Sequence, residues 1–308
     1  MPHIISASRR TDIPAFYADW FVNRLQAEMV YVRQPYSQKM ARISLAPQDV
    51  SAIVFWSKNY APLLGKLESI EKTTKNLFFH FTITANQELE LNVPGYKDAI
   101  SDFRYLAARY TPEQLVWRYD PVCITDKLSF EALEERFSRC AELLQGSAKR
   151  CFISFVHPYK KVLSNMGKYS DHHLVELSID QQKEYAERLA QRAAAYGIML
   201  FACCNDHLVS DDIQKAACID GQYLSRLFRT PLDTRPVLLR KECACTKSID
   251  IGAYDTCAHG CLYCYANSNK ERANAAPQRQ DPAGNALTMN VEESEDTVAS
   301  DQQDLFKP

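Results

Sequence analysis

The sequence predicts an α/β protein built as a (β/α) barrel or an open partial barrel. Short apolar runs rich in β-branched and aromatic residues alternate with longer amphipathic stretches, and this strand-then-helix order favours a parallel sheet joined by crossover helices. Seven such strands precede a short eighth candidate, the number a barrel of this class uses. With 308 residues and 46% hydrophobic content, the chain can bury one barrel-sized core.

Taken in order, the strands are expected at 4–8 (IISAS), 29–33 (MVYVR), 52–56 (AIVFW), 77–84 (LFFHFTIT), 115–119 (LVWRY), 151–156 (CFISFV) and 198–203 (IMLFAC), with the eighth at 248–251 (SIDI). Helical patterns fill the intervals at 15–27, 60–70, 96–110, 130–144 and 180–196. Residues 1–270 then form one domain, which includes a cysteine-rich segment at 243–267. Residues 271–308 are polar, rich in Ala, Asn, Gln and Asp and poor in aromatics, and are expected to form a largely disordered tail.

Charge and hydropathy narrow the function classes. The net charge is -2 and the sequence pI about 6.4, so a strongly basic nucleic-acid surface is absent and any such contact needs a local patch. No apolar run is long enough to span a bilayer, and the N-terminal MPHIISASRR has no hydrophobic signal region, which predicts a cytoplasmic protein without membrane contact. In that compartment the 11 cysteines are expected to be ligands or buried thiols, not disulfides.

The most specific motif is TCAHGCLYCYAN at 256–267, where Cys257, Cys261 and Cys264 are spaced C-x3-C-x2-C and Tyr263 precedes the last thiol. Three thiolates hold three irons of a [4Fe-4S] cube and leave the fourth open to a small molecule. The same thiols also suit a structural zinc site, although zinc knots favour paired C-x2-C units and only Cys261 and Cys264 make one. His259 reads as a turn residue. Cys203, Cys218, Cys243 and Cys245 form a second candidate set, closing a second iron–sulfur cluster or a zinc site; otherwise Cys203 and Cys218 are core thiols. Cys123, Cys140, Cys151 and Cys204 have no ligand-like spacing.

Strand ends supply the remaining candidates, because parallel barrels bind ligands at the C-terminal face of their strands. Arg9, Arg10 and Asp12 follow the first strand. The arginines can bind a carboxylate or phosphate, while Thr11 or Asp12 can cap a helix with Pro14 in its first turn. Lys58 follows Trp56, and Arg118 and Asp120 flank Tyr119, placing charge beside aromatics that can stack on a flat ligand or simply pack.

The C-x3-C-x2-C segment resembles the cluster loop of radical S-adenosylmethionine (SAM) enzymes. That resemblance implies a [4Fe-4S] cluster whose free iron chelates SAM, a 5'-deoxyadenosyl radical, Tyr263 against the adenine, and a flavodoxin- or ferredoxin-type electron donor. In those enzymes the loop follows the first barrel strand; here it follows the last, so a shared fold is permuted. Further motifs are SASRRTDIPAFY (6–17), VFWSKN (54–59), WRYDP (117–121), CFISFV (151–156), CIDG (218–221) and CACTKSIDIGAYDTCAHGCLYCYAN (243–267). Together they resemble the bacterial and archaeal family catalogued as domain of unknown function 1848, over about residues 1–270. That family carries a radical-SAM-like cysteine cluster at its C-terminus; Ala244 departs from an expected glycine and leaves both flanking ligands in place.

The enzyme expectation is therefore radical SAM chemistry on an unidentified substrate, with nucleic acid as one class. The alternatives are a Lewis-acid iron–sulfur enzyme without SAM, or a redox sensor or interaction protein. Near the C-terminus, Gln302-Gln303-Asp304-Leu305-Phe306 resembles the short peptide that docks on a bacterial sliding clamp, with a nonstandard second position.

Overall fold

The computed structural model describes residues 2–34, 39–237, 242–288 and 290–291. The clamp-like peptide at 302–306 lies outside the described residues. Among the described residues there are ten strands: β1 (His3–Ala7), β2 (Met29–Arg33), β3 (Met40–Ser44), β4 (Val50–Ser57), β5 (Leu77–Thr82), β6 (Leu115–Val122), β7 (Arg150–Phe155), β8 (Met199–Ala202), β9 (Ile213–Lys215) and β10 (Ile249–Asp250). Eight of them form one sheet in the order β10-β1-β4-β5-β6-β7-β8-β9, with every pairing parallel.

The sheet is open, so of the two expected forms the closed barrel is excluded and an open parallel α/β sheet remains. Its edge strands β9 and β10 are three and two residues long and do not pair with each other. The segments after β9 and before β10 do meet, with Thr246 N–H donating to Ile219 O at 2.9 Å. β2 is a strand as expected but is not part of this sheet, because it pairs antiparallel with β3 in a separate hairpin. β9 was not expected, and it completes the eight.

Both faces of the sheet are buried, as parallel strands require. Alternate residues Ile5, Phe55, Phe79, Phe81, Trp117, Tyr119 and Ile153 join the main core with the apolar sides of helices Tyr96–Arg109, Phe130–Leu144 and Ile179–Ala194. The intervening Ile4, Val54, Phe78, Val116 and Phe152 form a second core with helix Gly221–Phe228 and four cysteines. Ser129 caps the first turn of Phe130–Leu144, and Ser178 with Gln181 makes a capping box on Ile179–Ala194.

Two expected helices are broken. The first splits at Tyr17 into Ile13–Phe16 and Ala18–Gln26, and the second splits into Ala61–Leu64 and Leu67–Glu71. Lys160–Tyr169 is an additional helix. The segment assigned to the tail begins with an ordered helix, Lys270–Arg279, capped by Asn269. The chain beyond it packs on the N-terminal region: Trp20 Nε1 donates to Gly284 O at 2.9 Å, and Tyr31 N donates to Asn285 O at 2.9 Å. These partners are supplied by the fold, so polar composition was a poor guide there.

Candidate functional site

A cavity of about 290 Å³ opens at the C-terminal ends of the sheet strands. It is lined by every charged residue singled out from the sequence (Arg9, Arg10, Asp12, Lys58, Arg118 and Asp120), together with Tyr263, all three loop cysteines, Cys203 and Cys218. Cys243 and Cys245 stand behind it in the second core.

Four hydrogen-bond networks build the walls. After β1, the buried Asp250 of β10 accepts from Ser6 Oγ (2.8 Å), Ser8 Oγ (2.6 Å), the Arg9 amide (2.8 Å) and Arg10 Nε (3.1 Å). Burial raises its pKa, but Arg10 and Arg9 outweigh burial and hold the carboxyl at about 2. Arg9 is thereby aimed over Trp56, at 5.6 Å, and donates to Ser248 Oγ.

The second network is centred on Asp12. It caps Ile13–Phe16 by accepting from Ala15 N, and it also accepts from Ser57 Oγ at 2.7 Å and Lys58 N at 2.8 Å. His259 of the cysteine loop closes it, with Nε2 2.7 Å from Asp12 Oδ2. A carboxylate only accepts, so this nitrogen carries a proton and is not a free metal ligand. The ring also packs on Phe16 at 4.7 Å. His259 is therefore more than a turn residue: it pins the loop to the end of β1.

In the third network, Glu90 accepts from Lys58 Nζ at 3.0 Å and from the Tyr263 and Thr84 hydroxyls. Burial alone would lower the Lys58 pKa, yet Glu90 and the neighbouring Cys261 raise it, so the amine stays charged. The fourth lies across the cavity, where Arg118 donates to Asp120 and, through Nη1, to Cys218 Sγ at 3.2 Å. Ser154 holds the other Asp120 oxygen.

The cysteine loop is anchored on several sides. Tyr17 Oη donates to Thr256 O (2.6 Å), Asn92 N to His259 O (2.9 Å) and Leu262 N to Leu89 O (2.8 Å). Lys270 Nζ donates to Gly260 O and Cys261 O, at 2.7 and 2.8 Å. Gly260 turns the chain at φ 70°, in the left-handed region where glycine carries no penalty. Cys257, Cys261 and Cys264 interact electrostatically but make no sulfur–sulfur hydrogen bond. Burial pushes the Cys257 thiol well up and the Cys261 thiol to about 12, so both are protonated without a ligand.

The donor chemistry fits an iron–sulfur group with three thiolate ligands. The sulfurs are separate, face one cavity, and lie near the Lys58 and Lys270 cations, which offset thiolate charge. Among the described residues, no group of three or more His, Cys, Asp or Glu side chains is placed so that it could hold a metal ion without rearrangement.

The second set is closer-packed. Cys203 Sγ is 3.3 Å from Cys218 Sγ, Cys218 contacts Cys245, Cys245 contacts Cys243, and Cys204 contacts both Cys243 and Cys203. Cys204, set aside on spacing, thus belongs with them. Hydrogen bonds from Cys203 and Cys245, aided by Arg118, hold the Cys218 thiol well below its ordinary value despite burial. Cys123, Cys140 and Cys151 are buried in the main core, away from this group.

Sequence reading also missed Asp250 and Glu90, whose importance depends on distant partners. Asp250 had one signal, a carboxylate inside the apolar run SIDI. The fold and cavity define a class: an open parallel α/β sheet whose strand-end cavity is lined by two sets of thiols. The family described as "Domain of unknown function (DUF1848)" matches residues 4–266, and the chain belongs to that family. No curated protein and no solved structure matches it. No helix among the described residues is long and apolar enough to cross a membrane.

Proposed function

We propose that this protein is a radical-SAM-like iron–sulfur enzyme whose [4Fe-4S] cluster is held by Cys257, Cys261 and Cys264. The observation that carries the reading is shared access: the three loop thiols and six charged residues from separate strand ends line one cavity. When bound and reduced, such a cluster with one open iron supplies reductive cleavage of SAM.

The chain's own residues prepare the cavity. Lys58, Arg9 and Asp120 line the cavity as charged groups already paired with Glu90, Asp250 and Arg118, so a bound carboxylate or cationic group would share or displace those partners. Asp12 and Asp250 have their oxygens occupied by protein donors and act as positioning residues. The Tyr263 hydroxyl is tied to Glu90, which holds the ring at the cavity wall, where the loop's resemblance to radical SAM enzymes would have it meet adenine. A small flavodoxin- or ferredoxin-type donor would deliver the electron; a nucleic-acid substrate and sliding-clamp docking are further proposals without a basic surface behind them.

The test is SAM-dependent formation of 5'-deoxyadenosine by anaerobically reconstituted, reduced protein, with the electron paramagnetic resonance spectrum recorded with and without SAM. The reading expects product and a SAM-sensitive [4Fe-4S] signal, both lost in Cys257→Ala with the fold intact. A signal indifferent to SAM, with no product, would favour Lewis-acid chemistry or a sensor and overturn the proposal.

A further inference from the structure

The five thiols of Cys203, Cys204, Cys218, Cys243 and Cys245 come from three separated stretches of chain, yet each contacts two others. Chance burial of cysteines in a core does not close such a ring. The local backbone adds a second observation. Consecutive residues leaving a strand point to opposite sides, so Cys203 and Cys204 at the end of β8 should not both reach one site. They do because Cys204 adopts φ 52°, a left-handed conformation that a non-glycine residue holds only when its surroundings impose it.

The spacing discriminates between metal groups. Four sulfurs about 2.3 Å from one tetrahedral ion stand about 3.8 Å apart. The 3.3 Å contact between Cys203 and Cys218 needs to open only slightly to reach that separation. An iron–sulfur cube, by contrast, binds each thiolate to a different iron and holds the sulfurs well out of mutual contact. The surroundings match an anionic thiolate centre: the Arg118 guanidinium donates to Cys218 Sγ, and Arg9 faces Cys245 and Cys218 electrostatically. Without a metal the sulfurs hydrogen-bond to one another, and an ion would displace the protons they share as it binds.

We propose that this ring is a second metal site, binding a single tetrahedral divalent ion of the zinc type through Cys218, Cys243, Cys245 and one of the adjacent pair Cys203 and Cys204. Arg118 links this site to the cavity, since one guanidinium nitrogen meets Cys218 and the other meets Asp120. The site forms the back wall of the cavity and fixes Arg118. It does not depend on the chemistry proposed for the loop.

The experiment uses the full chain with the loop removed as a ligand, Cys257→Ala/Cys261→Ala/Cys264→Ala, stripped by a chelator and titrated with cobalt(II). The expected result is one cobalt per chain, with thiolate-to-cobalt charge transfer and the visible bands of tetrahedral coordination, displaced by zinc. Adding Cys243→Ser/Cys245→Ser should abolish those bands. As a second measurement, zinc should protect four thiols of the loop variant from alkylation. The proposal is overturned if the loop variant binds no cobalt, gives an octahedral spectrum, keeps its bands after the double serine change, or instead carries iron with sulfide. Failure of the SAM assay leaves all these readings unchanged, so the two proposals fail separately.

Discussion

Asp250→Asn tests whether a buried carboxylate organises the cavity entrance. Asp250 Oδ1 accepts from Ser8 Oγ, Arg10 Nε and Gly252 N, while Oδ2 accepts from Ser6 Oγ and the Arg9 amide. An amide in its place has one accepting oxygen. If its nitrogen takes the Oδ2 position, N–H faces the Arg9 N–H, and both guanidinium groups lose their counter-charge. Removing one partner of a buried pair costs about 3–5 kcal/mol, and partial exposure of Arg9 argues for the lower end. Urea unfolding at neutral pH should show that loss as a lower midpoint, whereas Ser6→Ala should cost only about 1 kcal/mol. The pH dependence has a defined sign. With its pKa depressed to about 2 from an ordinary 3.8, Asp250 contributes stability that is complete above pH 3.8 and is lost as pH falls toward 2. At about 1.4 kcal/mol per unit, this amounts to roughly 2.4 kcal/mol and should be missing from the variant. A loss below about 1 kcal/mol at neutral pH, or an unchanged acid limb, would refute the view that this carboxylate balances the two arginines.

Three further outcomes are expected. His80 is fully buried, with Nε2 donating to Cys218 O at 2.6 Å, and burial followed by Arg118 lowers its pKa to about 3. The unfolded chain therefore binds a proton first, and stability falls by up to about 1.4 kcal/mol per pH unit from pH 6.5 down to 3; urea midpoints across that window should flatten in His80→Gln. In Gly252→Ala, the new Cβ would lie 2.0 Å from Ser8 Oγ, so Ser8 must move off Asp250, at a cost of about 1–3 kcal/mol visible in thermal unfolding. His259→Ala removes the loop's bond to Asp12 and should cost about 1–3 kcal/mol, with faster amide hydrogen exchange at Ala258 and Gly260 while the β6–β7 amides stay protected.

The main sheet was readable because both-face burial leaves continuous apolar runs, as in AIVFW and LFFHFTIT. What was not readable is decided by pairing. MVYVR at 29–33 looks like any other strand, and only its antiparallel neighbour Met40–Ser44 removes it from the sheet. The three residues of β9, Ile-Gln-Lys, carry no strand signal at all, and their place comes from parallel bonds to β8. The location of the site followed from the rule that parallel strands present ligands at their C-terminal ends, so Arg9, Lys58 and Arg118 were legible as neighbours, though not as to role. Asp250 and His259 were illegible because their partners lie more than 240 residues away. Cys204 was set aside because its spacing matches no ligand pattern; its contacts with Cys203 and Cys243 depend on the fold, where its backbone is left-handed at φ 52°.

The placement of β10 beside β1 bears on how the protein is made. Ser6, in the first strand, meets Asp250 across 244 positions, and Asp12 meets His259 across 247. On the ribosome, the opening strand is synthesised long before the partner that covers its outer edge. Until then that edge is an exposed pairing surface. The cavity can be completed only after the cysteine loop has left the exit tunnel, so anything that its three thiols help to hold can bind only late in synthesis or after it. Fragments that stop before residue 250 lack Asp250 and should not hold Arg9 and Arg10 in place.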